Sequence, residues 1–92
     1  MSRHTYALNR RAALEGDAGS GDYVLVDTHS ATLCACNESA WRMLRTLKKG
    51  ATLAELTALL VETYGIDGDA AHRDAIDFVS RLSAMGLIDE RE

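Results

Sequence analysis

The stretch Tyr23–Gly50, YVLVDTHSATLCACNESAWRMLRTLKKG, changes its hydrophobic rhythm half-way along. Tyr23-Val24-Leu25-Val26 is a β-rich run bounded by Asp22 and Asp27. Asp27-Thr28-His29-Ser30 supplies a polar turn, and Ala31-Thr32-Leu33-Cys34-Ala35-Cys36 reads as a second strand. Two strands joined by so short a connection form an antiparallel hairpin. At Asn37, a good N-cap, the period switches, and Ala40, Met43, Leu44 and Leu47 fall on one helical face. Lys48 and Lys49 give the helix a cationic last turn, and Gly50 stops it. A hairpin running straight into an amphipathic helix points to an α+β fold.

Downstream, the pattern stays helical. Thr52-Leu53-Ala54-Glu55 is a capping box, in which hydroxyl and carboxylate satisfy each other's orphan amide. Leu53, Leu56, Leu60 and Tyr64 form a stripe with Leu59 beside it, ending at Gly65. Asp67 or Asp69 caps a third helix, which ends before Gly86 and the apolar pair Leu87-Ile88. In that helix Ala71, Ala75, Phe78, Leu82 and Met85 share a stripe, widened by Val79 and Ile76 to nearly half the circumference. Such an arc suits a helix wrapped deeply into a small core. It equally suits a helix with one border lining a groove.

Upstream, residues 1–21 are weakly defined. Tyr6-Ala7-Leu8 and Ala12-Ala13-Leu14-Glu15 read as short extended segments, and the cluster from Gly16 to Asp22 as a turn or mobile loop with Gly16, Gly19 and Gly21 as turn glycines. The order is strands first, then three helices.

A chain of 92 residues makes one domain, near the lower size limit for a self-sufficient core. A net charge of −4 argues against nucleic acid or an anionic membrane surface as the main partner. No signal-peptide pattern opens the chain, and no apolar run approaches the roughly 18 residues of a membrane span. Two cysteines in this context suit a reducing cytoplasm and free thiols.

Cys34 and Cys36, on one strand, share a face with about 7 Å between them, too far for a local disulfide. His4, His29 and His72 show no ligand spacing, so small apolar cysteines packed on a sheet face are favoured over a metal centre. Asp67, Asp69, Asp74 and Asp77 lack the order of a calcium loop and its closing glutamate. Glu38-Ser39-Ala40 is a poor substitute for the exposed serine motif of an acidic carrier protein. No hydrolytic or phosphate-binding signature occurs, so no catalytic residue, metal or cofactor is expected. Arg42, Arg45, Lys48 and Lys49 cluster on the first helix, either as dipole compensation and solubility or as a docking patch for an acidic partner.

The order of motifs resembles the PqqD-like family. The matching residues are Val24-Leu25-Val26-Asp27, a short turn, a strand ending in Asn37, and Ser39-Ala40-Trp41-Arg42-Met43-Leu44. The likeness continues through Gly50, Thr52 to Leu56, Tyr64-Gly65-Ile66 and Asp74 to Val79 with Leu82, ending at Gly86-Leu87-Ile88. It covers roughly residues 22–88. Two features depart from the family's pattern: Leu33-Cys34-Ala35-Cys36 replaces a strand with larger side chains, and only Ala75 follows the helix aspartate. Both imply a shallower groove.

The resemblance implies a winged-helix-like fold, a three-stranded antiparallel sheet followed by three helices. It implies a non-enzymatic recognition element that holds the leader segment of a ribosomally made, post-translationally modified peptide. The leader would add as a strand along Thr32, Leu33, Cys34, Ala35 and Cys36, with Asp74, Phe78 and Arg81 on the facing helix wall. The opposite border, around His72, Ile76 and Val79, is the other candidate wall. The implied partners are the precursor leader peptide and a modifying enzyme, either a radical-SAM enzyme or a leader peptidase with a lasso cyclase. Two other readings stand beside it: a DNA-binding winged-helix regulator, and a scaffolding subunit without a peptide groove.

Overall fold

The computed structural model describes residues 4–17 and 21–91. Five strands and three helices run in the order β1 (Thr5–Leu8), β2 (Ala12–Asp17), β3 (Asp22–Asp27), β4 (Thr32–Cys36), α1 (Glu38–Lys49), α2 (Leu53–Tyr64), α3 (Gly68–Ala84) and β5 (Ile88–Arg91). β2, β3 and β4 form an antiparallel meander with β3 in the centre. β1 pairs with β5 in a separate two-stranded ribbon that brings the two ends of the described chain together.

The caps act as their residue types dictate. Asn37 Oδ1 accepts from the Ala40 N–H at 2.8 Å. In the capping box, Glu55 N–H donates to Thr52 Oγ1 at 3.1 Å and Thr52 N–H to Glu55 Oε1 at 3.0 Å. Asp67 starts α3 by accepting from the Asp69 and Ala70 amides. Gly65 ends α2 at φ 65°, a left-handed conformation that glycine adopts without Cβ strain.

α1 packs against β3 and β4, and α2 and α3 pack on each other to complete the core. Leu44, Leu47, Leu56 and Leu87 are fully buried, with Leu25 from β3 and Ala71, Ala75, Val79 and Leu82 from α3 completing the centre. Truncating any of these leucines to alanine costs about 2–5 kcal/mol, through lost transfer energy and the cavity left behind. Alanines at 71 and 75, both fully buried, let α2 and α3 approach closely.

Three sequence expectations are corrected, and one strand had no counterpart among them. Tyr64 leaves the α2 stripe; it is exposed, and its hydroxyl donates to Glu38 Oε1 at 3.3 Å, tying α2 to the start of α1. The buried arc of α3 is narrower than its pattern, because Ile76 and Met85 face solvent. Gly16 is no turn glycine: it lies inside β2 opposite Tyr23, under the Trp41 ring. β5 carries the sequence IDER, with no strand alternation, and pairs because β1 offers it a partner. Of the expected Gly/Asp/Ser loop, residues 18–20 lie outside the described residues.

Candidate functional site

Side-chain alternation along β4 turns Cys34 and Cys36 toward the helices, where both are half-buried against the core. Leu33 and Ala35 point to the other face, and Leu33 is 68% exposed. The backbone alternates too. Thr28 N–H donates to Arg11 O at 2.8 Å, beside the Ala12–Asp27 pair, so the main-chain groups of Asp27 turn away from β2 and toward β4. Carried along the β3–β4 register, this bonds the backbones of Thr32, Cys34 and Cys36 to β3. The N–H and C=O of Leu33 and Ala35 then point out from the sheet edge. β4 is an edge strand in the three-stranded sheet, and its outward groups form a template for another strand.

That edge opens onto a groove of about 450 Å³ between β4, the first half of α1 and one border of α3. Cys34, Ala35 and Cys36 line the strand side, and Asp74, Phe78 and Arg81 line the helix side. Leu25, Met43, Leu44 and Leu82 form an apolar floor. Thr32 and Leu33 lie on the same edge but beyond the groove, toward the hairpin turn. Of the other border of α3, Val79 is buried in the core, Ile76 is exposed, and His72 lines a separate hollow with α2.

Sequence reasoning missed Asn37, Ser39 and Asp77 as groove residues, along with the exposed side of Met85. Asp77 was recoverable, because it stands four residues before Arg81 and pairs with it at 3.0 Å. Arg81 is thereby partly neutralised, while Asp74 makes no ion pair among the described residues. The groove therefore presents an apolar floor and an acidic rim.

The thiols fit packing rather than chemistry. Burial pushes the Cys36 thiol above its ordinary range, with the Leu25 main chain pulling partly the other way. Its Sγ–H donates to Cys34 O at 3.5 Å, and both cysteines are free. Among the described residues no three His, Cys, Asp or Glu side chains converge as a metal site, and no helix is long and apolar enough to cross a membrane. A larger trough of about 1020 Å³ lies on the other side of α1, lined by the basic cluster, away from the β4 edge.

The sequence profile of coenzyme PQQ synthesis protein D (PqqD) matches residues 22–88. The chain belongs to the PqqD family. No curated protein sequence matches it significantly. Solved structures share the PqqD-family fold at low identity. TbiB1 in complex with the TbiA(beta) leader peptide superposes with a TM-score of 0.79 at 18% identity, covering 90% of this chain and 94% of the other. Lasso peptide synthetase B1 complexed with the leader peptide gives 0.77 at 21%, covering 91% and 96%. The PqqD truncation of Methylobacterium extorquens PqqCD, described as a functional and stand-alone RiPP recognition element, gives 0.72 at 18%, covering 92% and 88%. These likenesses cover nine-tenths of the chain, more than the profile matches.

Proposed function

We propose that this PqqD-family domain binds the leader segment of a ribosomally made precursor peptide by strand addition to β4 and presents it to a modifying enzyme. The observation that carries the reading is a strand edge, unpaired among the described residues, that faces an apolar groove with a helix as its far wall. An extended peptide laid there would bond to the outward groups of Leu33 and Ala35, extending the sheet to four strands. Main-chain bonds give affinity without dictating sequence. Alternate side chains of the peptide would enter the groove between Cys34, Cys36 and Phe78 and select the partner. The small strand side chains let the peptide approach closely. Thr32 would extend the contact at the hairpin end, and Asp74 and Arg81 would set the polar rim.

The leader complexes among its structural relatives, TbiB1 and lasso peptide synthetase B1, support the same reading. The domain acts as a carrier without catalysis of its own, working in the cytoplasm. The receiving enzyme is a radical-SAM enzyme, or a leader peptidase with a lasso cyclase. A DNA-reading role is disfavoured by α3, where Asp69, Asp74 and Asp77 outnumber Arg73 and Arg81 on the exposed surface.

The test is titration of the isotope-labelled domain with candidate precursor leader peptides. Amide shifts should appear together in residues 32–36 and along Asp74 to Arg81. Shifts confined to Arg42–Lys49 would mean that the peptide docks elsewhere and would overturn the groove assignment.

A further inference from the structure

We infer that the trough on the far side of α1 is a second docking surface, one that takes an acidic segment of a partner protein. Arg42, Arg45, Lys48 and Lys49 line it, and Trp41 and Leu59 give it an apolar lining. At 1.5 Å rise per residue, Arg42 to Lys49 spans about 10 Å, with Arg42, Arg45 and Lys49 on one helical face. Carboxylates one turn apart on an amphipathic helix repeat at the same spacing. A single apolar side chain between them would meet the indole and Leu59.

The charges are available. Among the described residues, Arg45, Lys48 and Lys49 make no ion pair, and Arg42 shares its guanidinium with exposed Glu38. Glu55, the acid in the wall, has its carboxylate in the α2 capping box. Lys48 also borders a neighbouring hollow where Arg10 and Arg91 stand with one acid, Asp89, so a net positive surface continues past the trough. Helix-dipole compensation needs cations only in the last turn of α1, and Arg42 and Arg45 stand before it.

A chain with net charge −4 that sets four of its ten lysines and arginines around one hollow favours a compact acidic partner. A polyanion such as duplex DNA would extend past the hollow over a chain whose net charge is −4. The Trp41 ring, stacked on Tyr23 at 5.0 Å between centroids, is also engaged within the fold. α1 separates this trough from the β4 groove, so both can be filled at once. The surface stands independently of the leader-binding reading, and its test uses no leader.

The test titrates the labelled full chain with an amphipathic peptide of glutamates and leucines. A lysine–leucine peptide and a short DNA duplex serve as comparisons. Saturable, salt-sensitive shifts of the Trp41 indole and the Arg45 to Lys49 amides are expected with the acidic peptide alone. Arg45→Glu with Lys49→Glu should weaken them roughly tenfold or more. Arg45→Gln with Lys49→Gln gives the same direction if the reversed pair fails to fold. Unsaturable shifts, shifts at β4 and α3 instead, equal binding by the variants, or tighter binding of the duplex would each overturn the inference.

Discussion

Trp41 occupies the space that a side chain at Gly16 would need. A Cβ built on Gly16 stands 2.6 Å from Trp41 Cζ2 and 2.8 Å from Cη2, closer than any packed pair tolerates. The indole also stacks on Tyr23 with an interplanar angle of 21°, and Tyr23 is the residue opposite Gly16 across the β2–β3 ladder. One ring thus seats α1 on the sheet, and the glycine is what lets it lie flat.

Gly16→Ala should therefore destabilise the domain by about 1–3 kcal/mol, the usual cost of overpacking. The ring cannot swing away without losing its stack. Melting followed by tryptophan fluorescence measures the effect, and combining the change with Trp41→Leu should cost less than the sum of the two. Strict additivity would show that the contact carries no energy.

Ala35→Pro and Cys34→Pro should separate binding from folding. Ala35 N–H points out from β4, so proline there removes a donor offered to the peptide and leaves the ladder to β3 intact. Cys34 N–H belongs to the ladder, so proline there should cost about 1 kcal/mol of stability or more. Leader binding by calorimetry, beside thermal melts, checks both. A fully stable Ala35→Pro variant with unchanged affinity would exclude strand addition at this residue.

Phe78 forms the apolar part of the helix wall. Its truncation to alanine should cost about 2 kcal/mol of leader affinity, roughly 30-fold, if it acts as a hot spot. Because Phe78 is only half-buried, the loss of fold stability should be the smaller effect. Equal losses would make Phe78 a core residue and nothing more.

Asp27 gives the domain a defined acid sensitivity. Burial works to raise its carboxyl, but hydrogen bonds from Ser30, from Arg11 at 3.2 Å and from the His29 N–H at 3.0 Å overcome it, and the value ends below the ordinary aspartate range. A depressed folded value means the stabilisation is full at neutral pH, above the unfolded aspartate's titration. It is lost as pH falls through the lowered folded value. Melts across that window should show the gap between wild type and Asp27→Asn closing toward acid. A gap that stays constant would mean that Asp27 does not titrate with unfolding.

Cys36 should alkylate slowly at neutral pH, since its raised thiol leaves little thiolate. Cys34→Ser and Cys36→Ser should retain leader binding with modest packing loss. Stoichiometric zinc in protein purified without added metal, lost on either substitution, would reverse the structural role given to both.

What the sequence by itself determined was local: the β3–β4 hairpin, the caps at Asn37 and Thr52, a third-helix start at Asp67 or Asp69, the stops at Gly50 and Gly65, and the shared face of Cys34 and Cys36. Each depends on residues a few positions apart, where spacing and side-chain type suffice. The ordered series of motifs also carried the family and, through it, the edge strand and the facing helix. Tertiary structure decided the rest. Which border of α3 meets β4 depends on how α2 packs against Ala71 and Ala75, and helical periodicity is indifferent to that choice. β5 pairs with β1 from Leu8–Ile88 out to Thr5–Arg91, near the two ends of the described chain, and nothing in Ile88-Asp89-Glu90-Arg91 alternates to announce it. Gly16 read as a turn because its ring-shaped neighbour, Trp41, comes from another element. The basic residues of α1 became the wall of a trough only once β2 and α2 closed around them, since charge along a helix is a sequence property and concavity is not.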